Sequence, residues 1–256
     1  GRLTAKLEWC NPTGSHKDRM SARLIARALS CNVPLVVAAS SGNGGLSIAA
    51  YAARAGLPTE IAVTAALAPS YRRAIAAHGA PLVEAPDSLG RWEHLAHRVT
   101  EGAFAATNYR LPAIGTDPFG IEGYKTLSAE LSGSERPDII VVPSSRGDLL
   151  SGLRLGFEEI GGIPPRLIAV EPFPRLARVM AGEDYRLRYE GHTAQVSTAG
   201  ETVTFQALAA LRATGGLAVP VDDTAARQAQ AALAACGLHA ELSAAAGLTA
   251  LEAMAR

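Results

Sequence analysis

One lysine stands where turn residues run straight into a helical pattern, in Asn11-Pro-Thr-Gly-Ser-His-Lys17-Asp-Arg19. A cation at a helix N-terminus sits at the unfavourable end of the peptide dipoles, at a cost of ~0.3–1 kcal/mol. That setting lowers a lysine pKa and favours the neutral amine. The neutral amine is the form that attacks a carbonyl to make a Schiff base. Composition adds weight to this position. Of the 24 basic residues only Lys6, Lys17 and Lys125 are lysine. Arginine stays protonated and cannot form an imine. Codon bias accounts for the arginine excess equally well, and the placement alone also fits an ordinary exposed turn lysine.

Three other segments could bind ligands. Ser40-Ser41-Gly42-Asn43-Gly44-Gly45 lies between an apolar run and a helical pattern. Its small residues allow close backbone approach, and amides at the helix start suit a phosphate or carboxylate. A flexible strand-to-helix turn is the plain alternative, since neither a GxGxxG nor a GxxxxGK pattern is complete. Ser144-Ser145-Arg146-Gly147-Asp148 repeats the arrangement and adds a bidentate phosphate donor. An exposed Arg-Asp pair worth ~0–1 kcal/mol is the alternative there. In Glu241-Leu-Ser243-Ala-Ala-Ala246 the serine reads as a helix N-cap. His94 and His97 share a helix face with no third ligand nearby, so no metal site is expected.

The elements that must position these residues alternate. Pro34–Ala39, Thr59–Val63, Pro81–Glu84, Asp138–Pro143, Arg166–Glu171 and Leu217–Val221 read as strands, with Asp138–Pro143 the clearest buried one. Gly45–Ala55, Ser70–His78 with Ser70 as N-cap, Ser88–Glu101, Gly120–Leu131, Leu149–Ile160, Phe205–Ala213, a helix from Asp222 to near Gly237, and Ser243–Arg256 read as helices. Gly182–Thr202 is polar and irregular and reads as a surface excursion. Strands alternating with helices of about ten residues imply βαβ units and parallel sheets. Ligands in such sheets bind beyond the carboxyl ends of strands, where the Ser40–Gly45 and Ser144–Asp148 loops fall.

The chain has 256 residues with Lys+Arg 24 against Asp+Glu 24, 48% hydrophobic residues and a pI near 7.2. This composition excludes wholesale disorder and offers no basic excess for nucleic acid. No apolar run reaches the ~18 residues of a membrane span, and three cysteines are too few and scattered for a disulfide framework or zinc site. The expectation is a cytoplasmic protein without nucleic-acid or membrane partners.

Together these segments resemble fold type II pyridoxal-phosphate-dependent enzymes, the tryptophan synthase β-like group, and most closely its threonine synthase branch. Leu7–Arg19 is similar to the family's N-P-T-G-S-F-K-D-R signature, with His16 where phenylalanine is usual. Ser40–Gly56 is similar to the S-[ST]-G-N-x-[AG] loop and its helix, and Asn43 follows Lys17 by 26 residues, a separation that resembles the threonine synthase branch. Ile121-Glu-Gly-Tyr-Lys-Thr126 resembles that branch's E-G-x-K-T, and Glu241–Gly247 resembles E-P-[ST]-x-A-A with Leu242 in place of proline. Where the family carries a run of glycines for phosphate, this chain reads Ser-Ser-Arg-Gly-Asp. Members usually carry several tens of residues before the lysine, so this chain is either a shortened relative or one with further residues upstream.

The resemblance implies two three-layer α/β/α lobes with mostly parallel sheets. The smaller lobe would be 11–118, and the larger would be 1–10 plus 119–256. It implies pyridoxal 5'-phosphate held by Lys17, Asn43, the loop Ser144, Ser145, Arg146, Gly147 and Asp148, and Ser243 at the pyridine nitrogen. The substrate carboxylate would lie on Ser40, Ser41, Gly42, Asn43 and Gly44. The implied activity is a lyase acting on an amino acid by β/γ-elimination or replacement, foremost the conversion of O-phosphohomoserine to threonine. A serine/threonine dehydratase- or cysteine synthase-like β-elimination or β-replacement enzyme is the alternative, and a cofactor-binding relative without turnover a further one. A phosphate leaving group would need a second cationic site, for which Arg110, Lys125 and Arg146 are candidates. The implied assembly is a homodimer.

Overall fold

The computed structural model describes residues 2–40, 42–133 and 136–255, with the backbone alone for 253–255. The chain divides into two compact units. Gly1–Arg110 with Thr116–Tyr124 form the first, and Leu111–Gly115 with Lys125–Arg256 the second. Residues 1–10, expected with the larger lobe, group with the first unit, and the division inside the helix that follows Pro118 falls after Tyr124.

The first unit holds a parallel four-stranded sheet of β1 (Val36–Ala39), β2 (Thr59–Thr64), β3 (Leu82–Ala85) and β4 (Phe104–Ala105), in the order β3-β2-β1-β4. Val36 pairs with Thr59 on one side of β1 and with Phe104 on the other. Helices α1 (Lys17–Ser30), α2 (Asn43–Ala55), α3 (Pro69–Ala77), α4 (Ser88–Thr100) and the start of α5 (Pro118–Ser132) complete it. Met20, Leu24, Ile25 and Ala28 form the buried face of α1, at the spacing an amphipathic helix requires. Ser70 is not the N-cap of α3. Pro69 takes the first helical position, and Ala68 precedes it, because proline's missing N–H and fixed φ suit that place.

The second unit holds a parallel three-stranded sheet of β5 (Ile139–Pro143), β6 (Arg166–Glu171) and β7 (Leu217–Pro220), in the order β5-β6-β7. Its helices are the rest of α5, α6 (Asp148–Ile160), α7 (Leu176–Met180), α8 (Phe205–Ala213), α9 (Asp223–Ala235) and α10 (Leu242–Ala255). The expectation that Asp138–Pro143 is the clearest buried strand is corrected. That strand lies at the edge of the sheet with Ile139 41% exposed, whereas five of the six residues of the central β6 are buried. Leu150, Leu153 and Phe157 of α6 pack with Leu167 and Ala169 of β6 and Leu211 of α8 to form the core.

The stretch 182–202 is not merely a surface excursion. Tyr189, Gln195 and Thr198 are buried in it. Gln195 Nε2 donates to the Val221 carbonyl at 2.8 Å, which satisfies a polar group that burial would otherwise leave costly.

Candidate active site

Lys17 is the first residue of α1, so the amine stands at a helix N-terminus as the sequence implies. Its Nζ lies 3.4 Å from the hydroxyl of Tyr124 and 5.8 Å from the centre of that ring. Tyr124 is fully buried, and glycine brings it there. A Cβ on Gly123 would fall 2.0 Å from the Arg19 carbonyl oxygen, and one on Gly120 would fall 2.9 Å from Leu24. The backbone of α5 therefore rests directly on α1, which only a residue without a side chain permits. The His16 ring completes this side, 5.7 Å from Tyr124. Burial, with the charges of Lys17 and Arg19, holds His16 well below the usual imidazole pKa, so the ring stays neutral.

The turn before Lys17 is held by a buried carboxylate. Asp18 accepts from the Thr13 amide at 2.7 Å, from the Thr13 hydroxyl at 2.5 Å and from Ser47 Oγ on α2 at 2.6 Å. Arg19 is fixed outside the turn by Glu8, through two hydrogen bonds of 2.7 and 2.9 Å.

The glycine-rich loop enters α2, and Asn43 is that helix's first residue. Ser40 Oγ accepts from the Gly45 amide at 2.7 Å and the Gly42 amide at 3.2 Å. Ser40 thus does the work of a helix cap from two residues before Gly42. Asn43 Oδ1 accepts from the hydroxyl of Tyr71 on α3 at 2.5 Å. Gly42 precedes α2 and Gly44 is its second residue, and Ser41 falls outside the described residues.

In the second unit, Ser144 through Gly147 link β5 to α6, and Asp148 opens that helix. Gly147 has φ 78°, and a Cβ there would meet Ala207 at 2.3 Å. Arg146 is kept below the usual guanidinium pKa by burial, partly offset by Asp148 and Glu201. The loop rests on a fully buried ion pair. Arg175 Nε lies 3.3 Å from Glu171 at the end of β6. Arg175 Nη2 donates to the Ser144 carbonyl at 3.0 Å, and Nη1 donates to the Gly200 carbonyl. Glu171 also accepts from the amides of Leu176 and Ala177, both at 2.9 Å. Burial pulls Arg175 down to about 10, with the charge of Arg146 adding to the fall and Glu171 opposing it.

The donor set of this loop fits a phosphate. The Ser144 hydroxyl is buried with no hydrogen-bond partner among the described residues. It stands beside a guanidinium and at the N-terminus of a helix of 13 residues, a setting that favours an anion. Ser145 Oγ lies 2.6 Å from where a Cβ on Gly200 would be.

Ser243 is not the N-cap of α10. The helix starts one residue earlier, at Leu242, and Ser243 Oγ accepts from the Ser197 amide at 3.2 Å. That leaves the hydroxyl proton of Ser243, itself 3% exposed, free to be donated. Of the cations considered for a substrate phosphate, Lys125 is ion-paired with Glu159, and Arg110 lies over the Tyr109 ring at 5.5 Å. Tyr71, Glu171 and Arg175 were not among the residues the sequence picked out, and Tyr124 appeared there only as the variable position of Ile121–Thr126.

A family model described as "Pyridoxal-phosphate dependent enzyme" matches residues 1–256. Threonine synthase of Methanosarcina acetivorans is 30% identical over 249 residues, which is 91% of this chain and 60% of that protein. That of Methanocaldococcus jannaschii is 30% identical over 70% of this chain and 43% of its own length, so the chain spans about half the length of these relatives. Among solved structures, maize serine racemase superposes with a TM-score of 0.80 at 26% identity, covering 95% of this chain and 75% of that one.

Proposed function

Because the chain belongs to the pyridoxal-phosphate-dependent enzyme family, we propose that it is a lyase acting on an amino acid by β/γ-elimination or replacement, of the threonine synthase type. The observation that carries this reading is the Lys17 amine at the start of α1, 3.4 Å from the buried Tyr124 hydroxyl. The 30% identity to a threonine synthase over 91% of the chain supports the choice of substrate class.

In this reading Lys17 anchors the cofactor, Asn43 faces its phenolic oxygen, Ser144–Asp148 take its phosphate and Ser243 donates to its pyridine nitrogen. Pyridoxal phosphate, when bound, supplies an electron sink for the substrate's α-carbon. Lys17 Nζ is the base that takes the α-proton. Tyr124 Oη, beside it, holds or returns a proton at that nitrogen. The loop from Ser40 to Gly44 receives the substrate carboxylate on its amides. A serine at the pyridine nitrogen does not impose a proton as an aspartate would. That favours loss or replacement of a β or γ substituent over transamination.

A second reading, a β-eliminating enzyme on serine-like substrates, draws support from Lys125. Its pairing with Glu159 removes one cation from those open to a substrate phosphate. Maize serine racemase, to which the fold is similar, is by its name a serine enzyme, which fits the serine-like substrate of this reading but not its elimination step.

The test is a panel of O-phosphohomoserine, serine, threonine and O-acetylserine given to protein loaded with pyridoxal phosphate. Release of phosphate and threonine from O-phosphohomoserine is expected. Keto acid and ammonia from serine, with nothing from O-phosphohomoserine, reverses the order of the two readings. Loaded protein that turns over none of the four leaves the inactive relative. The covalent anchor is checked by mass spectrometry after borohydride reduction. The adduct is expected on Lys17 and is expected to vanish in Lys17→Ala.

A further inference from the structure

Asn43 stands at the first position of α2, and its amide has two unlike ends. Its carbonyl oxygen accepts from the Tyr71 hydroxyl at 2.5 Å. A carboxamide whose oxygen is engaged turns its N–H₂ the other way as a donor. Tyr71 is itself held in place by the loop it serves. A Cβ on Gly42 would come within 3.0 and 3.1 Å of Tyr71 Cε2 and Cζ, and Gly42 has φ 157°, a backbone state that glycine adopts far more readily than other residues. The ring therefore packs against the turn, and its hydroxyl reaches the amide one residue further on.

We infer that Tyr71 is a positioning residue that orients the Asn43 carboxamide, so that the amide presents its N–H₂ group, and not its oxygen, to the phenolic oxygen of the cofactor. The inference rests on the reading of Asn43 as a cofactor contact. A phenolic oxygen that receives an N–H bond is favoured in its ionised form. Without Tyr71 the amide can rotate and present its oxygen, which repels that same ionised form. The hydroxyl thus acts on the cofactor through a second side chain and touches neither cofactor nor substrate itself.

The experiment compares Tyr71→Phe, Asn43→Ala and the double variant with the parent protein, each titrated with pyridoxal phosphate and followed by visible absorbance across pH. Tyr71→Phe keeps the ring over Gly42 and loses one hydrogen bond, so a fall in melting temperature of no more than about 4 °C is expected. Its cofactor dissociation constant is expected to rise about fivefold, the weight of one hydrogen bond. The pH at which the bound chromophore loses its proton is expected to rise with it. The double variant is expected to be no worse than Asn43→Ala alone, as for two groups acting in series. If Asn43→Ala shifts both readouts and Tyr71→Phe shifts neither, the orienting role is overturned while the cofactor contact stands. If Asn43→Ala shifts neither, the cofactor contact fails and the inference falls with it. Additive losses in the double variant would also overturn it.

Discussion

The Asp18 carboxylate accepts the Ser47 hydroxyl at 2.6 Å, which joins the helix that begins with Lys17 to the helix that begins with Asn43. The same carboxylate takes the Thr13 amide, so one buried group fixes both the turn before Lys17 and the spacing of the two helices. Ser21 extends the link, 2.7 Å from Ser47 Oγ. Replacing Asp18 by alanine strands the half-buried Thr13 amide and hydroxyl and leaves the Ser47 hydroxyl with Ser21 alone. The expected loss is about 2–3 kcal/mol, read by urea denaturation, together with weaker incorporation of pyridoxal phosphate. An Asp18→Ala protein as stable as the parent would contradict this.

Gly123→Ala would drive a methyl into the Arg19 carbonyl 2.0 Å away. Backbone cannot swing aside as a side-chain tip can, so α5 must move off α1. A destabilisation of at least ~1–3 kcal/mol is expected, the usual range for overpacking. Tyr124 would retreat from Lys17 with it. Tyr124→Phe separates the two effects: near-parental stability but turnover reduced about tenfold, with little change in KM, is expected. Loss in KM alone would assign the hydroxyl to binding.

His16 gives the protein an acid-side sensitivity. Its folded pKa lies well below the ordinary value near 6.5. Between those two values the unfolded chain binds a proton that the native state refuses. Stability from this residue is therefore complete above pH 6.5 and falls as pH drops below it toward the folded pKa. Melting temperatures recorded from pH 7.5 downward should decline more steeply below 6.5 in the parent than in His16→Phe. Parallel curves would contradict the lowered native pKa of His16.

Arg175→Met leaves Glu171 charged, buried and short of its cation. Breaking such a pair costs ~3–5 kcal/mol. It also frees the Ser144 carbonyl, so affinity for pyridoxal phosphate should fall as well. Arg175→Met with Glu171→Gln should recover part of the stability but not the affinity. Recovery of both would remove the loop-holding role.

Local pattern made the supports of the site readable. The span of β6, Arg166–Glu171, and that of α8, Phe205–Ala213, coincide with the sequence reading, because an uninterrupted apolar run and an apolar period each announce themselves within a few residues. Lys17 and the Asn43 loop stood out because turn residues run into a helical pattern there, and α1 and α2 do begin at these residues. β4 was missed, since the two residues Phe104–Ala105 carry no pattern at all. Ser70 and Ser243 failed as caps because a neighbour, Pro69 or Leu242, took the first helical position. Tyr124 reaches Lys17 across 107 positions and Tyr71 reaches Asn43 across 28. Such partners are chosen by tertiary packing, which spacing along the chain does not encode.

Ser40 spends its hydroxyl inside its own turn, on the amides of Gly42 and Gly45. A segment with this many glycines would otherwise wander among many shapes and lose them all on meeting a ligand. Tethered in this way, it has already surrendered that freedom during folding. On the proposed reading, an arriving carboxylate meets amides on either side that are already set in place, and more of the contact energy remains as affinity.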